Sequence, residues 1–305
     1  MYRFAFILAL VTFVSCADTT DAPADGFDPG MLGRWDVTVQ GDNGYPLWFE
    51  LTQGADGDAV GGRLQPRGGH TLPFDRVEAS ASTLSMQVGE TAYEGTFDGG
   101  AWTGTGARGE RSFEWTAVRA PLLPAPDNPS WGEPVELFNG EDLTGWVPLP
   151  GGESQWKAEE GVLVNDASGA NLKTENPFGD FKLHIEVNVP EGSNSGIYLR
   201  GRHEVQVVDP AVEGLSVQQM GAVYGQLIPS ADVTRPAGEW QSFDITILGR
   251  WVTVELNGET IINHQEIPGI TGGALDANEG EPGPIYLQGD HGRVLYRNIV
   301  LTPAT

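Results

Sequence analysis

The chain has a single cysteine, Cys16, among 305 residues. That excludes a disulfide framework and any cysteine-built metal cluster. Positive charge is also scarce, with 17 Lys and Arg against 42 Asp and Glu and a formal net charge of −25. A protein that grips nucleic acid needs a basic patch, so nucleic acid is excluded as a partner and the acidity is assigned to solubility. Long apolar runs are missing as well. The one candidate, residues 4–14 behind Arg3, falls short of the roughly 20 residues a spanning helix needs. It reads as the core of a signal peptide covering residues 1–15.

Phe13-Val-Ser-Cys16 resembles a bacterial lipobox, in which a small residue precedes the cysteine that becomes the lipidated N-terminus. The expectation is an exported bacterial lipoprotein, periplasmic or cell-surface, joined to the membrane through its lipid anchor alone. Residues 16–29, rich in Ala, Asp, Thr and Pro, form the tether.

Glycine (42), proline (21) and tryptophan (9) are plentiful, and after the N-terminus the pattern is one of short alternating runs separated by turn residues. An all-β chain follows. Residues 34–39, 47–52, 59–64, 75–79, 83–88, 92–97, 101–104 and 112–118 alternate in this way, which predicts a small β-barrel or β-sandwich over 30–120. Residues 121–134 hold five prolines and no alternation, placing a linker at 121–133. Beyond it, residues 181–189 put Phe181, Leu183, Ile185, Val187 and Val189 on one face, and residues 242–248 and 251–256 repeat the scheme before the hairpin signal Asn257-Gly258. Sheets with one apolar and one polar face stack, so residues 134–305 are expected to form a jelly-roll sandwich.

Within it, Gly192-Ser-Asn-Ser-Gly-Ile-Tyr-Leu-Arg-Gly-Arg-His-Glu-Val-Gln-Val-Val-Asp209 carries the densest polar pattern. Alternation sets Ile197 and Leu199 against Tyr198 and Arg200, and Glu204 and Gln206 against Val205 and Val207. Polar side chains in such a row face a groove rather than a core. Asn194, Arg200, Glu204 and Gln206 would suit a polyhydroxylated ligand.

The same run resembles the NSGI-x-LRG and YE-x-Q-x-x-D signatures of the 3-keto-disaccharide hydrolase family, a concanavalin A-like sandwich. Leu137-Phe-Asn-Gly-Glu-Asp-Leu-Thr-Gly-Trp146, Gly221-Ala-Val-Tyr-Gly225, Gly283-Pro-Ile-Tyr-Leu-Gln-Gly-Asp-His-Gly292 and Arg297-Asn-Ile299 follow in family order, and the likeness spans about residues 133–303. The implied substrate is a saccharide already oxidised at C3. The ketone acidifies the C2 hydrogen, so a base can remove it, expel the C1 substituent by β-elimination and let water add.

Glu204 is the candidate base and His291 the second proton-transfer group. Asn194, Arg200, Gln206, Tyr224 and Gln288 are candidate substrate-binding residues, with Asp209 and Asp290 behind them. Bland readings stand beside these: Glu204 paired with Arg200 or Arg202, His291 bonded to Asp290 as a loop histidine, Tyr224 as a half-buried strand aromatic. His184 and His264 read as structural or exposed. Arg63, Arg67 and His70 could rim the first domain, but a solvated loop is preferred. Trp48, Trp102 and Trp115 are core before they are a sugar platform.

No cofactor is expected. The sequence leaves a divalent metal open, since His203, Glu204, Asp209 and His291 lack a close ligand spacing. Two other classes remain: a lectin-like module that binds without turnover, and a laminarinase-like glycosidase, against which Gln206 stands where a carboxylate is needed.

Overall fold

The computed structural model describes residues 27–41, 44–54, 60–211 and 214–305. The signal peptide, Cys16 and most of the tether lie outside these residues. The expectation of an all-β chain holds: among the described residues, the secondary structure is strands and one short 3-10 turn at Pro29–Met31.

Nine antiparallel strands from Gly33–Val39 to Arg111–Arg119 form the first sheet, and its two edges, Leu72–Pro73 and Arg76–Ala79, are neighbours in sequence. Such an order curls the sheet into an open barrel. Phe74 and Asp75 bridge the edges by donating backbone hydrogen bonds to Gly62 and Gln87. Alternation sends Trp35, Val37, Leu47, Phe49, Trp102 and Trp115 inward. Trp102 and Trp115 are therefore core. Gly104 makes room for Trp115, because a Cβ there would lie 2.4 Å from its ring.

The second domain is a jelly-roll sandwich. One sheet runs Trp156–Glu159, Val162–Asn165, Val294–Pro303, Phe181–Asn188, Trp240–Leu248, Trp251–Leu256 and Glu259–Glu266, with Val135–Glu136 paired to the long strand Val294–Pro303. The facing sheet runs Trp146–Pro148, Leu172–Thr174, Tyr286–Leu287, Asn194–Leu199 and His203–Val208. Leu183, Ile185, Val187, Phe243 and Ile245 from the first meet Leu172, Ile197, Leu199, Val205 and Leu287 from the second in one core. Asn257 and Gly258 (φ 53° and 85°) form a two-residue turn of the I′ kind, with both φ values positive. His184 lies on the outer face, 2.8 Å from Asp244.

The two domains share a buried contact. Trp48, between inward-facing Leu47 and Phe49, points outward and donates from Nε1 to Ile270 O at 2.8 Å. Arg34 of the first domain binds Glu279 and Pro268 O of the second. Arg250 and His203 lie 3.8 and 3.6 Å from the same carboxylate. Gly269 permits this approach, since a Cβ there would sit 2.6 Å from Trp48 Nε1.

Candidate active site

Strands Asn194–Leu199 and His203–Val208 pair in antiparallel register, with Gly196 opposite Gln206 and Tyr198 opposite Glu204. Their apolar residues enter the core, so Asn194, Tyr198, Glu204 and Gln206 are left on the outer face. The segment Gly221-Ala-Val-Tyr-Gly225 lies along the open edge, where Tyr224 N donates to Glu204 O and Gln206 N to Ala222 O. Gln288, Asp290 and His291 follow the short strand Tyr286–Leu287. Together these residues line a cavity of about 420 Å³, a volume typical of small-ligand sites.

Glu204 sits at its floor, 4% exposed. Neither Arg200 nor Arg202 pairs with it: Arg200 turns to Asp180 at 3.4 Å and to Gly249 O, and Arg202 binds Asp276 at 2.6 Å. Its side-chain partner is the Tyr198 hydroxyl, which donates to Oε2 at 2.8 Å and also contacts Gly272 O at 2.8 Å. With no cation beside it, burial dominates and pushes the carboxyl up to about 8; the Tyr198 hydrogen bond works against this and Asp290 adds to it. Burial likewise drives Tyr198 well above its usual range, so the tyrosine stays a proton donor.

Gly196 explains why the strand carries a glycine at this point. A Cβ there would lie 2.3 Å from Glu204 Oε1, so the carboxyl occupies the space a side chain would take. Gly196→Ala is expected to displace the Glu204 side chain and lower turnover about 10²-fold with little loss of fold, the scale of a misaligned reacting group. Unchanged kinetics and an unchanged pH profile would show that the carboxyl need not lie there.

His291 and Asp290 are exposed at the cavity mouth, with Nδ1 2.7 Å from Oδ1. This contact fixes which imidazole nitrogen is free to face the cavity. Asp290 thus lines the cavity itself. Asn194, Gln206, Tyr224 and Gln288 line it too.

Two candidates lie elsewhere. Arg200 follows the last strand residue, and its φ of 53° rotates it out of the alternating row, so it is buried against Asp180 instead of facing ligand. Asp209 accepts from Gly192 N at 2.6 Å and from Ala211 N at 2.9 Å, which holds its carboxyl below the usual range and braces the turn before Asn194. Tyr198 was on the polar face by alternation but carried no motif of its own. Among the described residues, no group of three or more His, Cys, Asp or Glu is arranged to hold a metal ion.

A third wall comes from the first domain. Arg67, Gly68 and Gly69 line the same cavity; Arg67 is exposed in a loop, as expected, and that loop lies against the second domain. Sequence offers no sign of this, because the partners lie about 130 to 220 residues downstream. A larger hollow, about 570 Å³, lies on the first sheet along Thr83, Thr96, Thr103 and Thr116. Its carboxylates are Glu94, which accepts from Ser85 at 2.8 Å, and Glu114.

Residues 133–302, more than half of the chain, match the family model of 3-keto-alpha-glucoside-1,2-lyase-like domains. A crystal structure from Parabacteroides distasonis, provisionally described as a glycosyl hydrolase, is 31% identical across 59% of this chain and 93% of its own, with a TM-score of 0.48. Another from that organism is 25% identical across 56% and 93%, with a TM-score of 0.46. A carbohydrate-binding module from Bacillus subtilis is 10% identical across 52% and 94%, with a TM-score of 0.34. No curated protein matches the chain.

Proposed function

Because the chain belongs to the 3-keto-alpha-glucoside-1,2-lyase-like domain family, and so to the carbohydrate-active enzymes, we propose that it cleaves 3-keto-glycosides by C2 proton abstraction and β-elimination. One observation carries this reading: a buried carboxyl without a cation partner, Glu204, shares a cavity with the exposed Asp290 and His291 pair. Environments that hold two proton-transfer groups apart allow one to act as base and the other as acid.

Glu204 takes the C2 proton, and the C2–H electrons form the enolate of the C3 ketone. The enolate then collapses to the ketone, its C2=C3 electrons form the C1=C2 bond, and as the C1–O bond breaks its electrons pass to the leaving oxygen, which takes a proton from His291. Water then adds at C1 with His291 accepting its proton, and Glu204 returns the first proton to C2. The sum is hydrolysis. Asn194, Gln206 and Gln288 hold sugar hydroxyls, since each amide can donate and accept. The lipid-anchored, exported location of residues 1–29 belongs to the same proposal.

A 3-keto-disaccharide and its unoxidised counterpart supplied to the purified protein test the reading. Only the keto sugar should turn over, deuterium at C2 should slow it, and exchange of the C2 hydrogen with solvent, the step Glu204 performs by itself, should quicken as pH rises towards 8. The sign follows from the base role: below about 8 the carboxylate fraction of Glu204 falls about tenfold per pH unit. Turnover of the unoxidised sugar alone would move the function to glycoside hydrolysis. Binding of both sugars without turnover would make the protein a lectin.

A further inference from the structure

The loop that follows strand Val60–Gln65 is built to stay against the second domain. Gln65 is fully buried and staples it, donating from Nε2 to Pro66 O and Gly69 O at 3.0 and 2.9 Å while Oε1 accepts from Thr71 at 2.9 Å. Across the boundary, Gly273 N donates to Arg67 O at 2.8 Å. The backbones touch at Gly69 and Gly272, where a Cβ on Gly272 would fall 2.6 Å from Gly69 O. Gly225 is pressed in the same way, its Cβ position 2.7 Å from His70 Cβ.

This docking reaches the reacting carboxyl by a short path. Gly272 O accepts from the Tyr198 hydroxyl that also binds Glu204, so the loop rests on the strut that orients the base. Arg67 is the one Lys or Arg lining the cavity. Its guanidinium lies 5.0 Å from the Tyr45 ring centroid, and among the described residues no carboxylate or carbonyl binds its side chain. A cation left without an anion, on the wall of a site whose other ionisable residues are Glu204, Tyr198, Tyr224, Asp290 and His291, has its donors available for a ligand oxygen.

We propose that Arg67 of the first domain is a substrate-contacting residue, binding the C3 carbonyl oxygen and stabilising the negative charge that develops there when the C2 proton leaves. The inference rests on the function proposed above and goes beyond it by making the first domain part of the active site. Its class of ligand is a ketone-bearing saccharide, since an unoxidised hydroxyl develops no charge to offset. The wall is open to water, which weakens a single donor relative to a buried one. An effect of about tenfold is therefore expected.

The full chain carrying Arg67→Gln or Arg67→Lys decides it, through steady-state kinetics on a 3-keto-glucoside and NMR titration with the keto and unoxidised sugars. Arg67→Gln should lower kcat about tenfold and Lys should recover most of it. Affinity for the unoxidised sugar and the unfolding temperature should stay unchanged, because Arg67 is exposed. An unaltered kcat for Arg67→Gln overturns the inference. So does an equal loss of affinity for both sugars, which marks a wall that only holds shape. Should the natural chain fail to turn over the keto sugar, the proposed function falls by itself and the titration still decides Arg67. Selective loss of keto-sugar affinity in Arg67→Gln would then sustain the contact, and unchanged affinity, or none to lose, would overturn it.

Discussion

Glu204→Gln is expected to cut turnover of a 3-keto-glycoside about 10³-fold, within the usual scale of general-base catalysis, while making the protein more stable at neutral and alkaline pH. The amide keeps the shape beside Gly196 and still accepts the Tyr198 hydrogen bond, but it cannot take a proton. The stability gain follows from the carboxyl's shift from 4.5 to about 8. Below pH 4 the group is protonated in folded and unfolded chains alike, and the variant should equal the natural protein. Between about 4.5 and 8 the unfolded chain ionises while the folded one keeps its proton, so natural stability falls by about 1.4 kcal/mol per pH unit. At pH 7 the variant should lead by about 3 kcal/mol on that scale, read by denaturant unfolding at pH 4 and pH 7. A variant less stable at pH 7 would mean that the ionised carboxylate is well satisfied in the fold. Near-normal turnover, with His291→Gln inactive, would pass the base role to His291.

The second large effect belongs to the domain boundary. Arg34→Ala leaves Glu279, fully buried, with Arg250 at 3.8 Å as its nearest remaining cation. Breaking a buried ion pair from one side strands the other charge, at a cost of about 3–5 kcal/mol. The neighbouring Asp36, which burial raises to about 7 against the pull of Arg34, loses that cation as well. Unfolding followed by tryptophan fluorescence should show the loss. The double variant Arg34→Met with Glu279→Gln should recover most of it, because neither partner is then charged. A loss below about 1 kcal/mol for the single variant would put the pair in the class of solvated surface bridges. Trp48 and Arg34 both hold the segment Pro268–Ile270, and the next residues shape the cavity wall, so turnover should fall with stability.

Much of the sandwich was legible because a strand projects its side chains alternately. Phe181, Leu183, Ile185 and Val187 announced a core face, and Glu204 and Gln206 announced a polar one; both are where the period places them. Asn257-Gly258 announced its turn for a local reason too, since both residues tolerate positive φ. The groove residues Asn194, Gln206, Tyr224, Gln288 and His291 came from motif likeness and alternation together, and the structure gathers them round one cavity.

What alternation could not reach is the end of the strand and everything joined across the chain. Arg200 looked like part of the polar row until its φ of 53° broke the period one residue past Leu199. By itself, then, the sequence determined the class of fold, the faces of its strands and the residue types of the groove, because those depend on neighbours within a few positions. Tertiary structure decided that Glu204 has a tyrosine for its partner and no arginine, and that Arg67 stands on the wall of a site built some 130 residues later. Both depend on which distant backbones come into contact, and where Gly272 meets Gly69 that contact needs Gly272 to have no side chain, since a Cβ there would fall 2.6 Å from Gly69 O.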